Sequence, residues 1–344
     1  MKDIARDLGV SVITVSKALR NHPDISAETR ARVLKRVKEL NYRPNLAART
    51  LVTGRTYMMG LVVPDLVHSF FSYLAKGLSG VLRNSGFTLI ISSSEEDPEL
   101  ERQAIDQLVA RSVDALLVAS IQWTVETFRR VEEASIPYIL IDRSFVELAA
   151  NFVGVNDEQV GSMATEHLIE VGCRTIAHIS RARVSPALGR QEGYKQALAR
   201  HGLSVGPEYI VNAAREAESA EVVGYEAAKK LLRLNPRPDG IFCYDDPVAI
   251  GAMKAIFDAG LRIPEDIAVV GCGNIHYDNF LRVPLTSVDL QSMVIGQRAA
   301  RLAISLVGAK SPVRPKTILL EPKLVARDST NRSAELSRRG SAKS

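Results

Sequence analysis

The sequence predicts a small all-α head followed by an α/β body of two doubly wound parallel-sheet lobes. Three observations carry that expectation. In the first 43 residues the apolar positions recur only at helical spacing. From Tyr57 onward, short apolar runs alternate with helix-period segments, the rhythm of parallel strands with helices on both faces. Charge divides at the same place: residues 1–55 hold twelve Lys/Arg against five Asp/Glu, a net +7, and the other 289 residues sum to −2. A basic segment on a near-neutral body suggests a polyanion-binding module joined to something else. A basic, solvated helical face would look the same on charge alone.

Three helices account for the head. The first covers about Lys2–Leu8, with Ile4, Ala5 and Leu8 on one side and Gly9 as its stop. The second opens after Ser11, a good cap, and runs through "VITVSKAL". At 100° per residue, Val15, Ala18 and Leu19 share one face and Ser16, Lys17 and Arg20 the other. Val12 lies on the border, and Ile13 sits in the middle of the polar face. The third helix starts after Ser26 and carries Val33, Leu34, Val37 and Leu40 at helical spacing; Asn41 and Pro44 end it. Two helices around the Gly9 turn make a helix-turn-helix, whose second helix would enter a major groove N-terminus first. An exposed Ile13 can then pack on a thymine methyl while Lys17 donates to guanine. Ser11, Thr14, Ser16 and Arg20 become phosphate contacts. A plain helical hairpin, with Ile13 packed on a neighbour, is the alternative.

Residues 44–56 form a linker, in which "NLAARTL" could make a helix of about seven residues, too short to be stable alone. The body, residues 57–328, shows its strands as "MMGLVVP", "TLIISSS", "ALLVAS", "YILID", "FVGVN", "TIAHIS", "GIFCYDD" and "IAVVGC". Leu74–Asn84, Glu99–Arg111 and Val222–Leu232 read as amphipathic helices between them. Eight or more strands exceed one small sheet, and a break near Val155–Gly161 predicts two lobes with a ligand cleft at the carboxyl ends of their strands. The polar tail 329–344 predicts disorder and has no heptad repeat.

Several functions are disfavoured. Cys173, Cys243 and Cys272 form no CxxC pair, which argues against a disulfide scaffold or a zinc site. No apolar run reaches about 18 residues and no signal-peptide core opens the chain, so a cytoplasmic protein without membrane contact is expected. "GCGN" lacks the GxGxxG pattern, adjacent Asp245 and Asp246 do not face each other as acid and base, and no HExxH, GxSxG or P-loop motif occurs. No enzyme, cofactor or metal is predicted. A pure ligand-binding protein would explain residues 57–327 but not the basic head.

The stretch "KDIARDLGVSVITVSKAL" resembles the head of the LacI/GalR family of bacterial transcription regulators. The likeness continues in order through "GLVVPDLVHSFF", "YILIDR", "HLIEVGCRTIAHIS", "GRQEGYKQAL", "GLRIPEDIAVVG" and "VPLTSV" to about residue 327. The resemblance implies a body with the fold of type I periplasmic sugar-binding proteins and a homodimer on a pseudo-palindromic double-stranded operator. It places Val12, Ile13 and Lys17 at base-reading positions. Asn45, Ala48 and Leu51 fall in the minor-groove hinge, with Leu51 as the wedge that unstacks a base step. It also makes Asp65, Phe70, Phe71, Trp123, Asp142, Arg190, Asp245 and Asn274 the candidates for effector binding, with a carbohydrate as first expectation, a nucleobase second and a partner protein third. Most such regulators repress.

The chain departs from that family in three places. Relatives carry a Ser/Thr cap before the first helix, where this sequence has Met1, so either the true start lies upstream or the helix is uncapped at a cost of about 1 kcal/mol. After "IAVVG" relatives have an aromatic and two aspartates; here stand Cys272, Gly273 and Asn274. Gly273 removes a side-chain acceptor that Asn274 could replace. Asp245 stands where relatives usually have asparagine, which would favour a donor-rich ligand or restore the acceptor missing at 273.

Overall fold

A computed structural model describes residues 1–332 apart from 20, 43–49, 51–53, 123, 182–183, 205, 214–218, 310 and 312. The chain divides into two compact units, residues 1–56 and 57–344.

In the first unit helices Lys2–Leu8, Val12–Leu19 and Ala27–Glu39 enclose Ile4, Ala5, Val15, Ala18 and Val33. Met1 offers the first helix no side-chain cap, and Gly9 ends it at φ +66°, a conformation that costs glycine little. Ser11 and Ser26 cap the next two helices by accepting the Thr14 and Thr29 N–H groups. The third helix turns a narrower apolar face inward than its spacing suggested. Val33 is buried, but Leu34, one position round the helix, and Leu40, at its end, are largely exposed.

In the second unit strands β1 (Met58–Val63), β2 (Thr88–Ser93), β3 (Ala115–Val118), β4 (Tyr138–Ile141), β5 (Asn151–Val155) and β11 (Thr317–Leu320) form one sheet. Its order is β11-β5-β4-β3-β1-β2, all parallel. The second sheet contains β6 (Ile176–Arg181), β7 (Ile210–Ala213), β8 (Gly240–Cys243), β9 (Ala268–Cys272), β10 (Thr286–Asp289) and β12 (Lys323–Val325), ordered β12-β10-β9-β8-β6-β7. Here β12 runs antiparallel to β10, a departure from the purely parallel expectation. The chain also crosses between lobes three times, after β5, after β10 and between β11 and β12, rather than once near Val155. Helix Ser292–Gly308 therefore packs back on Ser69–Asn84 in the first lobe. That contact is close because a methyl group on Gly77 would collide with the Met293 carbonyl, and one on Gly296 with that of Leu74.

The expected disorder from residue 329 is corrected at its start. Ser329 and Thr330 lie in a short 3-10 helix and are buried. The Ser329 hydroxyl donates to the Val269 carbonyl at 2.6 Å and accepts the Thr286 N–H at 2.8 Å, while Thr330 pairs with His167 at 2.8 Å. Ser329 and Thr330 read as the start of a solvated tail, yet their hydroxyls bond to β9 and β10 inside the second sheet. Residues 333–344 lie outside the described residues.

Candidate functional site

The head presents a compact polar surface around its second helix. Ile13 is 68% exposed and Val12 39%, so the apolar residue on the polar face does not pack within this unit. Ser11 and Thr14 share a hydrogen bond between their hydroxyls at 2.9 Å. Lys17 reaches across the following turn to Asp24, Nζ to Oδ2 2.9 Å, and the Lys17 hydrogen bond with the His22 and Lys17 charges holds the Asp24 carboxyl below its usual range. Asp24 was absent from the sequence reading because the pairing spans seven residues and a turn. Ser16 lies on the same helix, partly buried. Arg20, Asn45, Ala48 and Leu51 lie outside the described residues.

The second candidate site lies between the two lobes. Asp65, His68, Phe70, Phe71, Asp142 and Arg143 line it from the first, and Arg181, Arg190, Tyr244, Asp245, Cys272 and Gly273 from the second. The cavity they enclose measures about 30 Å³, room for two or three waters on a scale where each takes about 10–15 Å³.

Arg190 is the centre of the second-lobe wall. It is 3% exposed; its Nε donates to Asp157 at 3.0 Å, its Nη1 to the Tyr244 carbonyl at 2.8 Å, and its guanidinium carbon lies 4.6 Å from the Tyr244 ring centroid. The pairing follows from helix packing. A methyl group on Gly161 would strike the Arg190 carbonyl, and one on Gly193 that of Glu158, so only glycine lets helices Asp157–Glu170 and Ser185–Arg200 come this close. Burial pushes the Asp157 carboxyl up to about 6 against the pull of Arg190.

The first-lobe wall combines charge with aromatic surface. Asp142 stands at φ +65° after β4 and is buried, which raises its carboxyl despite Arg190 and Arg143 nearby. Arg143 is 4% exposed and loosely flanked by Glu96 at 3.6 Å and Asp142 at 3.9 Å. Its Nε and Nη1 atoms are fully buried without a hydrogen-bond acceptor among the described residues. Sequence reading missed Arg143, although it ends the quoted "YILIDR"; a buried arginine beside an aspartate was the available signal. Phe70 and Phe71 meet edge to face at 5.1 Å and belong to the first-lobe core as well as to the cavity lining.

The altered corner after β9 resolves differently from expectation. Asn274 is not among the lining residues: its Oδ1 accepts from Arg327 Nη2 at 2.5 Å and its N–H donates to the Ser287 hydroxyl. Its amide therefore does not replace the acceptor missing at Gly273, which lines the cavity at φ +130°. Asp245 does face the cavity, but both oxygens have partners. Oδ1 caps helix Asp246–Asp258 by accepting the Val248 N–H at 2.8 Å, and Oδ2 lies 3.3 Å from His68 Nε2. Burial opposes its charge, yet His68, Val248 and Arg181 together hold the carboxyl below its ordinary value. Trp123 lies outside the described residues. Among the described residues no cluster of three His, Cys, Asp or Glu could hold a metal ion, and no helix is long and apolar enough to cross a membrane.

Comparison with known proteins covers both units. Residues 1–45 match the family described as bacterial regulatory proteins, lacI family, and residues 165–330 match a periplasmic binding protein-like domain. A ribose operon repressor from Halalkalibacterium halodurans is 33% identical over 331 residues, 96% of each chain. The transcriptional repressor PurR of Mannheimia succiniciproducens is 29% identical over 97% of this chain and 99% of its own. Among solved structures, a transcriptional regulator CelR–cellobiose complex aligns with a TM-score of 0.73 at 26% identity, covering 95% of this chain and 98% of that one. A regulator of the same family from Silicibacter pomeroyi aligns at 0.77 and 25% identity over 96% and 99%.

Proposed function

The chain belongs to the lacI family of bacterial regulatory proteins, and from that premise we propose that it is a non-enzymatic repressor whose operator affinity is set by a carbohydrate bound between its lobes. Two copies hold a pseudo-palindromic operator in the cytoplasm. Val12, Ile13 and Lys17 read bases, Ser11, Thr14, Ser16 and Arg20 fix the register on phosphates, and Asn45, Ala48 and Leu51 enter the minor groove. The basic head and the exposed Ile13 support this half of the reading.

One observation carries the effector half: the two acceptor-less nitrogens of buried Arg143 beside Asp142 and the Phe70–Phe71 surface. Each buried donor left unpaired costs about 1–3 kcal/mol, and a hydroxylated ring brings acceptors for Arg143, donors for Asp142 and an apolar face for the phenylalanines. Arg190, fixed by Asp157, completes the wall with Asp65, and Trp123 is a further candidate contact. Relatives named for ribose and a structure holding cellobiose favour a sugar. A sugar that changes the lobe angle needs a coupling of only about 1–3 kcal/mol to alter DNA binding.

A thermal-shift screen of the full chain against pentoses, hexoses, disaccharides, sugar acids and nucleobases tests this. A sugar should raise the melting point of the parent and not of Arg143→Gln. A nucleobase hit with no sugar response would replace the carbohydrate reading.

A further inference from the structure

Polar contacts among the described residues tie the lobes together around the cavity. His68 Nε2 in the first lobe meets Asp245 Oδ2 in the second at 3.3 Å, Arg181 Nη2 meets Glu96 Oε1 at 2.8 Å, and the Ser144 N–H donates to the Ser185 hydroxyl at 3.1 Å. The first differs in kind from the others. His68 is the N-cap of helix Ser69–Asn84: its Nδ1 accepts the Phe70 N–H at 3.3 Å. A ring nitrogen that accepts carries no proton, so the proton sits on Nε2 and is donated to Asp245. Asp245 is in turn the N-cap of helix Asp246–Asp258 through Oδ1. Each cap has one atom on its own helix and one on the other cap.

We propose that His68 and Asp245 form a cap-to-cap latch that sets the resting angle between the lobes and that an effector must displace or close upon. Its parts are rigid, because each side chain is fixed at the first turn of a long helix rather than on a loop. It is dry, with side chains 18% and 5% exposed, so the pair is less screened than a surface contact. It is also specific to the carboxylate. Asparagine at 245 would cap the helix equally well but would offer His68 a neutral amide in place of a charged acceptor, and hydrogen bonds to charged groups are about twice as strong. The cap alone therefore does not require aspartate here; the latch does. The latch draws its regulatory meaning from the cleft being the effector site, but its existence does not depend on which ligand enters.

The test measures the lobe angle in the purified full chain with no ligand added. Nitroxide labels at Glu133→Cys and Lys195→Cys, both exposed and in opposite lobes, leave the buried native cysteines unlabelled. Labelled chains are diluted with unlabelled ones so that only distances within a chain are read. Pulsed electron–electron resonance should give a narrow distribution for the parent and a broader one, shifted by several ångströms, for Asp245→Asn. His68→Asn, which also keeps its helix capped, should give the same result, and the double variant should add nothing further. Distributions that superimpose for all four chains would overturn the latch. A broadened double variant beside unchanged single ones would overturn it too, since the two residues would then act separately. Neither result bears on the sugar screen, so the latch and the effector reading fail independently.

Discussion

Asp278 offers a pH dependence that can be worked out in advance. Both of its carboxylate oxygens are fully buried without a donor among the described residues, and its nearest cation, Arg327 Nη1, is 3.9 Å away. Burial and the neighbouring Asp246 push it up to about 8; burial raises Asp246 as well, although the Ser287 hydroxyl at 2.6 Å and the Ile275 N–H at 3.1 Å support its charge. Two buried carboxyls side by side retain one proton between them near neutral pH. The folded value lies above the unfolded one, so the stability from this proton is complete in acid and is lost as pH rises through the folded value. Between pH 5.5 and 7.5 the unfolded chain has released both protons and the native chain only one. One proton then changes the folding equilibrium by a factor of about ten per pH unit, or on the order of 2–3 kcal/mol over the window. Asp278→Asn keeps a donor for Asp246 without the proton and should remove that slope.

Other shifted groups add to the background slope. Asp142, Asp157 and Glu101, raised by burial, act in the same sense, whereas burial lowers His178, to about 4, and His167, so that they add stability as pH rises. The readout is therefore the difference between parent and variant. Urea unfolding followed by the fluorescence of Trp123, the single tryptophan, reports on the second unit. Parent and Asp278→Asn curves that fall in parallel from pH 5.5 to 7.5 would refute the shared proton.

Three further outcomes follow from the same geometry. Lys17→Ala should relax base choice at one operator position by about 1–3 kcal/mol, whereas Asp24→Asn, which releases Lys17, should strengthen DNA binding on all sequences; fluorescence anisotropy with operator and scrambled duplexes separates the two. Gly273→Ala should cost about 1–3 kcal/mol in urea unfolding, because φ +130° strains any side chain and its Cβ would stand 3.0 Å from Asp246 Oδ2; a variant as stable as the parent would show that the corner yields. Arg190→Ala leaves half-buried Asp157 without its cation, a loss of about 3–5 kcal/mol at most, and Arg190→Lys should recover part of it while still failing to respond to ligand in the thermal-shift assay.

Local periodicity made the head and the strand rhythm of the body legible, because helix faces and buried strands are written in consecutive residues. Ile4, Val15 and Ala18 were found that way, and so was the outward Ile13. Lobe membership was not legible. Helix Ser292–Gly308 looks like any amphipathic helix, and only Gly77 and Gly296, more than two hundred residues apart in the chain, specify that it packs on Ser69–Asn84. Ser329 and Thr330 misled for the opposite reason: hydroxyl residues read as solvated until their partners on β9 and β10 are known.

The cleft shows the same limit in its chemistry. Residue type identified Asp245 and Asn274 as hydrogen-bonding groups, yet their availability is decided by neighbours no motif contains. Arg327, 53 residues downstream, takes the Asn274 oxygen away from the cavity. His68, 177 residues upstream, takes one oxygen of Asp245, and the first turn of its own helix takes the other. Arg143 is the converse case: flanked by two acids, it still has two buried nitrogens without an acceptor among the described residues. The loss of an acceptor at Gly273 is therefore not made good at 274, and the aspartate at 245 faces a histidine before it faces any ligand. On the proposed reading, recognition would then rest on the first lobe, where Asp142 and Arg143 stand side by side. Arg143→Gln should consequently weaken ligand binding more than Asp245→Asn does, as isothermal titration with the ligand found by the screen would measure; the reverse order would return the main contacts to the second lobe.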